Sequence, residues 1–162
     1  MKYRIATKND LEIIWNKNIK NHPKDDRWKK WKEQYIRYNE EGKAVTFVAV
    51  DNEPVGEITI LISPECKAVQ GKKELCDGKT IFNMNAFRIE KQYEGQGHIS
   101  KLVKLAEAYA KEKGAKELSI GVEATEVRNM AIYFHWGFEK FIFSEIDEED
   151  GGALVLYYKK KI

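Results

Sequence analysis

Disulfides, membrane spans and charge of a single sign are all missing from this chain. Its two cysteines, Cys66 and Cys76, are too few for a disulfide framework in 162 residues and lack the CxxC spacing of a zinc or redox site. No apolar run approaches the roughly 18 residues that a membrane helix needs, and Met1-Lys2-Tyr3-Arg4 opens a polar segment rather than a signal peptide. A cytoplasmic protein with no membrane partner is therefore expected. Against 28 Lys and Arg stand 26 Asp and Glu, a formal net charge of +2, too near balance for a dedicated nucleic-acid binder. His22, His98 and His135 show no metal-ligand spacing, so no metal is expected. No internal repeat or low-complexity tract is present.

What is present is an ordinary globular composition, 43% hydrophobic and 33% charged. It is long enough for one domain over residues 1–162, burying about 70% of the surface of its unfolded chain. Residues 2–6 alternate as a short edge strand. Thr7 and Asp10 form an acidic capping box for a first helix that carries Leu11, Ile14, Trp15 and Asn18 to about Lys20, where Asn21-His22-Pro23 breaks it. Residues 25–40 predict a second helix whose Trp28, Trp31, Tyr35 and Tyr38 fall on one stripe, either covering a sheet or walling a pocket.

Residues 45–50 and 55–62 predict a hairpin around Asp51-Asn52-Glu53-Pro54. A polar excursion over 63–79 precedes a strand over 80–89, where strict alternation puts Ile81, Asn83, Asn85, Phe87 and Ile89 on one face. Ile99, Leu102, Val103, Ala106, Tyr109 and Ala110 make the best helical stripe of the chain, closed by Gly114. Leu118, Ile120 and Val122 alternate as a strand. Val127, Met130, Ala131 and Phe134 predict a short helix, and 138–146 and 153–159 two last strands. The order βααβββαβαββ predicts a mixed α/β layer around one sheet. The acidic run Glu145, Asp147, Glu148, Glu149 and Asp150 reads as a solvated hairpin end or as an attractor of a cationic ligand.

Chemistry concentrates between Asn83 and Lys113. Gln92-Tyr93-Glu94-Gly95-Gln96-Gly97-His98 joins a strand to the long helix. A Gly-x-Gly turn there leaves helix-start amides without intrahelical partners, and with the helix dipole they form a site for a phosphate or pyrophosphate. Gly95 and Gly97 let the backbone approach such an anion with no Cβ between. The dinucleotide fingerprint fails because Ser100 stands where its third glycine belongs, and no Gly-Lys-Ser or Gly-Lys-Thr of a P-loop follows.

Gln92-x-x-Gly95-x-Gly97 at the head of an amphipathic helix resembles the pyrophosphate loop of the GNAT superfamily of acetyl-CoA-dependent N-acetyltransferases. Two more stretches carry the resemblance. Phe87-x-Ile89-x-x-x-Tyr93 is similar to the end of the family's fourth strand, and Ala131-Ile132-Tyr133-Phe134-His135-Trp136-Gly137-Phe138 to its signature at the last helix. The likeness covers nearly the whole chain. It implies an α+β fold with a mostly antiparallel twisted sheet of about seven strands and four helices on both faces. It also implies acetyl-CoA as cosubstrate, with contacts at Phe87, Ile89, Gln92, Gly95, Gln96, Gly97, His98, Ser100 and Asn129. The sequence departs from the family at Ile99, Glu94 and Glu126, where many members have glycine, arginine and asparagine. Phosphate binding must then rest on backbone donors and Ser100.

The resemblance implies attack of an amine on the acetyl thioester through a tetrahedral intermediate. Amides near Phe87 and Ile89 would meet the developing oxyanion. Tyr133 matches the family's general acid toward sulfur, and a helical wheel puts it about 110° from the centre of its apolar stripe, on the flank. A phenol near pKa ~10 and a thiol near ~8.5 make full proton transfer to the thiolate uphill by about 2 kcal/mol, so Tyr133 serves better as a hydrogen-bond donor than as a committed acid. For the base, Asn83 and Asn85 cannot accept a proton. Glu57 is the side-chain candidate, against an exposed strand carboxylate with no role or a chain of waters. The expected acceptor is a small-molecule primary amine. The alternatives are a protein amine, or a silent acyl-CoA-binding domain. A homodimer through the terminal strands is a further expectation from the family.

Overall fold

The computed structural model describes residues 1–162, the side chain of Asp150 excepted. The elements follow in the expected order: β1 (Lys2–Ile5), α1 (Lys8–Asn21), α2 (Arg27–Glu40), β2 (Ala44–Asp51), β3 (Glu53–Leu61), β4 (Ile81–Ile89), α3 (His98–Glu112), β5 (Glu117–Glu123), α4 (Val127–His135), β6 (Lys140–Asp147) and β7 (Ala153–Lys161). They form one seven-stranded sheet in the order β1-β2-β3-β4-β5-β7-β6. All neighbours are antiparallel except β4 and β5. Among the described residues no helix is long and apolar enough to cross a membrane.

Local chemistry explains the early elements. Thr7 Oγ1 accepts the Asp10 amide and the Asp10 carboxylate accepts the Thr7 amide, so the capping box is complete. Arg4 of β1 grips the same carboxylate, tying the edge strand to α1. Burial alone would raise the Asp10 carboxyl, but Arg4 and Thr7 outweigh it and hold it below the usual range.

Two cores lie on the two faces of the sheet. Leu102, Val103, Ala106 and Ala110 of α3 pack with Phe47, Ile58, Ile60, Phe82 and Met84 on one. Leu11, Ile14 and Trp15 of α1 and Tyr35, Ile36 and Tyr38 of α2 fill the other. The excursion before β4 is folded onto that second core through Cys66, Val69, Leu75 and Cys76. Both cysteines are free, and burial pushes their thiols up to about 12 and about 11.

One strand departs from its sequence pattern. Opposite β3, Glu57 pairs with Arg88 but Thr59 pairs with Asn85, so Ala86 and Phe87 together face Ile58. This bulge holds Ala86 at φ 48° and reverses the alternation. Phe87 and Ile89 therefore do not share a face with Asn83 and Asn85. They turn toward the α3 core, and Arg88 takes the α1–α2 face beside Glu57.

Candidate functional site

The parallel pair β4–β5 is short. Its register runs only Ile81–Glu117, Phe82–Leu118 and Asn83–Ser119. Past Asn83 the strands part, and the seam widens into a cleft of about 1120 Å³ lined by Met84–Ile89, Gly121, the start of α3 and α4. Glu90 donates its amide toward β3, to Val55 O at 2.9 Å. By alternation the amides of Phe87 and Ile89 open on the other edge, toward the cleft.

At one end of the cleft, Gly95 and Gly97 sit at φ 72° and 83°, a region that side chains with a Cβ enter at a penalty. Gly97 is the N-cap of α3 and no side chain caps that helix. The first-turn amides of His98, Ile99 and Ser100 thus lack intrahelical partners, at the positive end of a 15-residue helix. A Cβ at either glycine would meet nothing within 4 Å, so the approach to these amides is open. His98 braces the turn, with Nδ1 2.7 Å from the Tyr3 hydroxyl and Nε2 3.3 Å from Gln96 Oε1.

Tyr133 lies further along the same cleft. Contrary to the wheel reading, it is the buried residue of α4, 5% exposed, while Val127 and Phe134 of the supposed apolar stripe are 69% and 41% exposed. The helix docks through an aromatic cluster instead: Tyr133 meets Phe87 edge-on at 5.3 Å and stacks on Trp136 at 5.9 Å. The bulge in β4 is what turns Phe87 to receive it. The Tyr133 hydroxyl forms no hydrogen bond among the described residues. Burial, and secondarily the Glu126 carboxylate, push its phenol above the ordinary value.

Of the residues expected at the coenzyme, Phe87, Ile89, Gly95, Gly97, His98, Ser100 and Asn129 line the cleft. Gln92 and Gln96 do not: Gln92 Nε2 donates to Glu90 Oε2 at 3.0 Å and Gln96 Nε2 to Gln92 O at 2.9 Å, which stiffens the turn from outside. Asn129 donates its amide to Glu126. The acidic run lies away from the cleft, where Glu145 pairs with Lys72 and Glu149 with Lys67 at 3.7 Å; the Asp150 side chain lies outside the described residues. No group of three His, Cys, Asp or Glu among the described residues is arranged to hold a metal.

Glu57 is fully buried, not exposed. Its Oε1 accepts from Asn18 Nδ2 at 3.1 Å and Arg88 Nε at 2.7 Å. Beside it runs a directed chain across the seam. Tyr35 donates to Asn85 Oδ1 at 2.7 Å, Asn85 to Asn83 Oδ1 at 3.2 Å, Asn83 to Ser119 Oγ at 2.9 Å, and Ser119 to Leu75 O at 2.6 Å. Nothing in the sequence pattern marks Arg88, whose face is set by the bulge. The aromatic stripe of α2 does not wall the cleft: Tyr35 is buried behind it and reaches it only through Asn85.

An opened seam walled by free amides suits a long thioester donor, and acyl transfer is the class of chemistry that uses one. The chain belongs to the Acetyltransferase (GNAT) family, whose model matches residues 9–138. It is accordingly an acyltransferase of the acetyl-CoA-dependent N-acetyltransferase kind. No curated protein matches it significantly by sequence. Among solved structures it is similar to a ribosomal-protein-alanine N-acetyltransferase from Brucella melitensis (TM-score 0.73, 15% identity, 100% of both chains). It is also similar to Arabidopsis thaliana NAA60 in complex with acetyl-CoA (TM-score 0.73, 13% identity, 99% of this chain and 98% of that one). An aminoglycoside 6'-N-acetyltransferase complexed with coenzyme A matches as well (TM-score 0.67, 12% identity, 99% of this chain and 97% of that one).

Proposed function

We propose that the chain moves an acetyl group from acetyl-CoA to a small-molecule primary amine by direct attack through a tetrahedral intermediate. One observation carries this reading: the bare amides of α3 and the unpartnered Tyr133 hydroxyl open into the same cleft. The residues present fit the cosubstrate. Gly95 and Gly97 admit a diphosphate to the amides of His98, Ile99 and Ser100, with the Ser100 hydroxyl as an added donor. The cosubstrate supplies the activated acetyl group. The amides of Phe87 and Ile89 polarise its carbonyl and hold the oxyanion. Tyr133, less acidic than a free phenol, donates a hydrogen bond to the sulfur as charge develops there.

The amine must lose a proton. Glu57 is engaged by Arg88 and Asn18 and is shut from the cleft, so we assign that proton to water in the open seam. Neighbours named for aminoglycoside and spermidine acetylation support a small amine as acceptor. The silent acyl-CoA-binding alternative is favoured by the engagement of Glu57, the side-chain candidate for the base, with Arg88 and Asn18. Thiol release from acetyl-CoA across an amine panel, with mass detection of the acetylated product, decides between them. Turnover with at least one small amine is expected. Coenzyme binding without release on any amine would leave the silent domain.

A further inference from the structure

Arg88 is held unusually well for a residue at the edge of a cleft. Its guanidinium lies 4.6 Å from the ring centroid of Trp15 and 5.1 Å from that of Trp28, two rings whose centroids are themselves 6.2 Å apart, so the indoles crowd one side of it and fix its position. Trp28 is itself backed by His22, stacked at 3.9 Å. One edge of the fork is taken by Glu57.

The pair is not arranged for stability. Both contacts go to the single oxygen Oε1, from Nε as a hydrogen bond and from the buried Nη2 as an ion-pair contact without hydrogen-bond geometry, and Glu57 Oε2 is left buried with no partner. A buried ion pair contributes little to stability even when fully satisfied, and orphaned atoms make it worse. What the arrangement achieves is orientation. The carboxylate is fully buried, but the Arg88 side chain is 27% exposed and lines the cleft. No described residue takes its Nη1. The cleft therefore sees the cationic end of the pair and not the anionic one. It sees it on the α1–α2 face of β4, beside Asn85, opposite the face that carries Phe87 and Tyr133.

The part of this planar, immobilised guanidinium left for the cleft is Nη1, a charged donor that suits a carboxylate oxygen. We infer that Arg88 is a specificity-determining residue that binds a carboxylate on the acceptor, so that the substrates are amines bearing a carboxylate, such as free amino acids, rather than polyamines. This rests on the function proposed above and adds the acceptor class to it. A polyamine would bring a second cation toward the one exposed charge of the pair, and the acidic run that could attract one lies elsewhere.

Matched pairs test it: L-phenylalanine with phenethylamine, L-ornithine with putrescine, and L-glutamate with γ-aminobutyrate as a shifted-carboxylate control. For the first two pairs kcat/KM is expected to favour the amino acid at least tenfold. Arg88→Gln is expected to collapse that ratio at least tenfold through KM of the amino acid more than through kcat. Because Arg88→Gln strands a buried carboxylate, the double variant Glu57→Gln/Arg88→Gln is measured alongside it, with folding verified by coenzyme A calorimetry. A preference for the decarboxylated amines, or a ratio indifferent to both variants, overturns the inference. Absence of turnover with every amine counts against the proposed function instead. The CoA-loaded protein is then titrated with the same pairs: Arg88-dependent binding of the amino acids sustains the carboxylate site, and its absence removes it.

Discussion

On the α3 side of the cleft the polar groups are main-chain amides with nothing bonded to them. On the α1–α2 side Asn85 and Arg88 reach the cleft, and both are bonded to buried side chains behind them, Asn85 to Tyr35 and Asn83 and Arg88 to Glu57. The first wall leaves its hydrogen-bonding capacity for a ligand and asks little of side-chain identity. The second uses most of its capacity internally, and what it leaves over is one guanidinium nitrogen, Arg88 Nη1. Affinity for a shared cosubstrate belongs to the first arrangement, and choice of an individual acceptor to the second.

That contrast can be broken or sharpened by substitution. Glu57→Ala has the largest expected effect, a loss of about 3–5 kcal/mol of folding stability in urea titration, because it leaves Arg88 beneath two indoles without its anion. A loss below about 1 kcal/mol would mean that the second wall is not held by this pair. Gly97→Asp acts on the first wall. Aspartate tolerates a positive φ and a carboxylate suits a helix start, so folding should survive while the charge occupies the anion site. Affinity for coenzyme A should fall about 100-fold, near 2.7 kcal/mol, by calorimetry. Unchanged affinity would place the diphosphate elsewhere.

Tyr133→Phe should lower kcat by about 30-fold with coenzyme A affinity within about twofold, since the hydroxyl has no structural partner to lose. Its raised pKa predicts that ionisation of Tyr133 causes no fall in activity below about pH 10. Unchanged turnover would remove it from the mechanism.

The smallest effect concerns the excursion that leads into β4. Burial would raise the Asp77 carboxyl, but the amides of Ile81, Lys79 and Thr80 and the Thr80 hydroxyl bring it down to about 2. Its contribution, about 1 kcal/mol after solvent screening, is complete above about pH 4 and is lost as pH falls through about 2. Asp77→Asn should flatten stability between those limits. An unaltered acid profile would show that this turn does not restrain the strand.

The same division governs what could be read from the sequence. The capping box at Thr7 and Asp10, the apolar stripe from Ile99 to Ala110 and the Gly95-x-Gly97 turn are local: short-range spacing and backbone preference determine them, so the fold order and the amide wall were legible. The bulge at Ala86 was not, because nothing in Asn85-Ala86-Phe87 announces an extra residue and the cause lies in pairing with β3. From that one slip follow the faces of Phe87, Ile89 and Arg88. Tyr133 was placed on a flank because a nine-residue helix was read from its own stripe, when its docking is set by Phe87 and Trp136. Glu57 looked like a strand carboxylate with open access until Asn18, 39 residues earlier, and Arg88, 31 residues later, were brought to it.

Isothermal titration with acetyl-CoA and with acetyl-pantetheine, which keeps the thioester but lacks the nucleotide diphosphate, tests the amide wall directly. Association with acetyl-CoA at least about 100-fold tighter than with acetyl-pantetheine is predicted, the difference lying in anion binding at His98, Ile99 and Ser100. Equal affinities for the two, or no heat with acetyl-CoA, would contradict it.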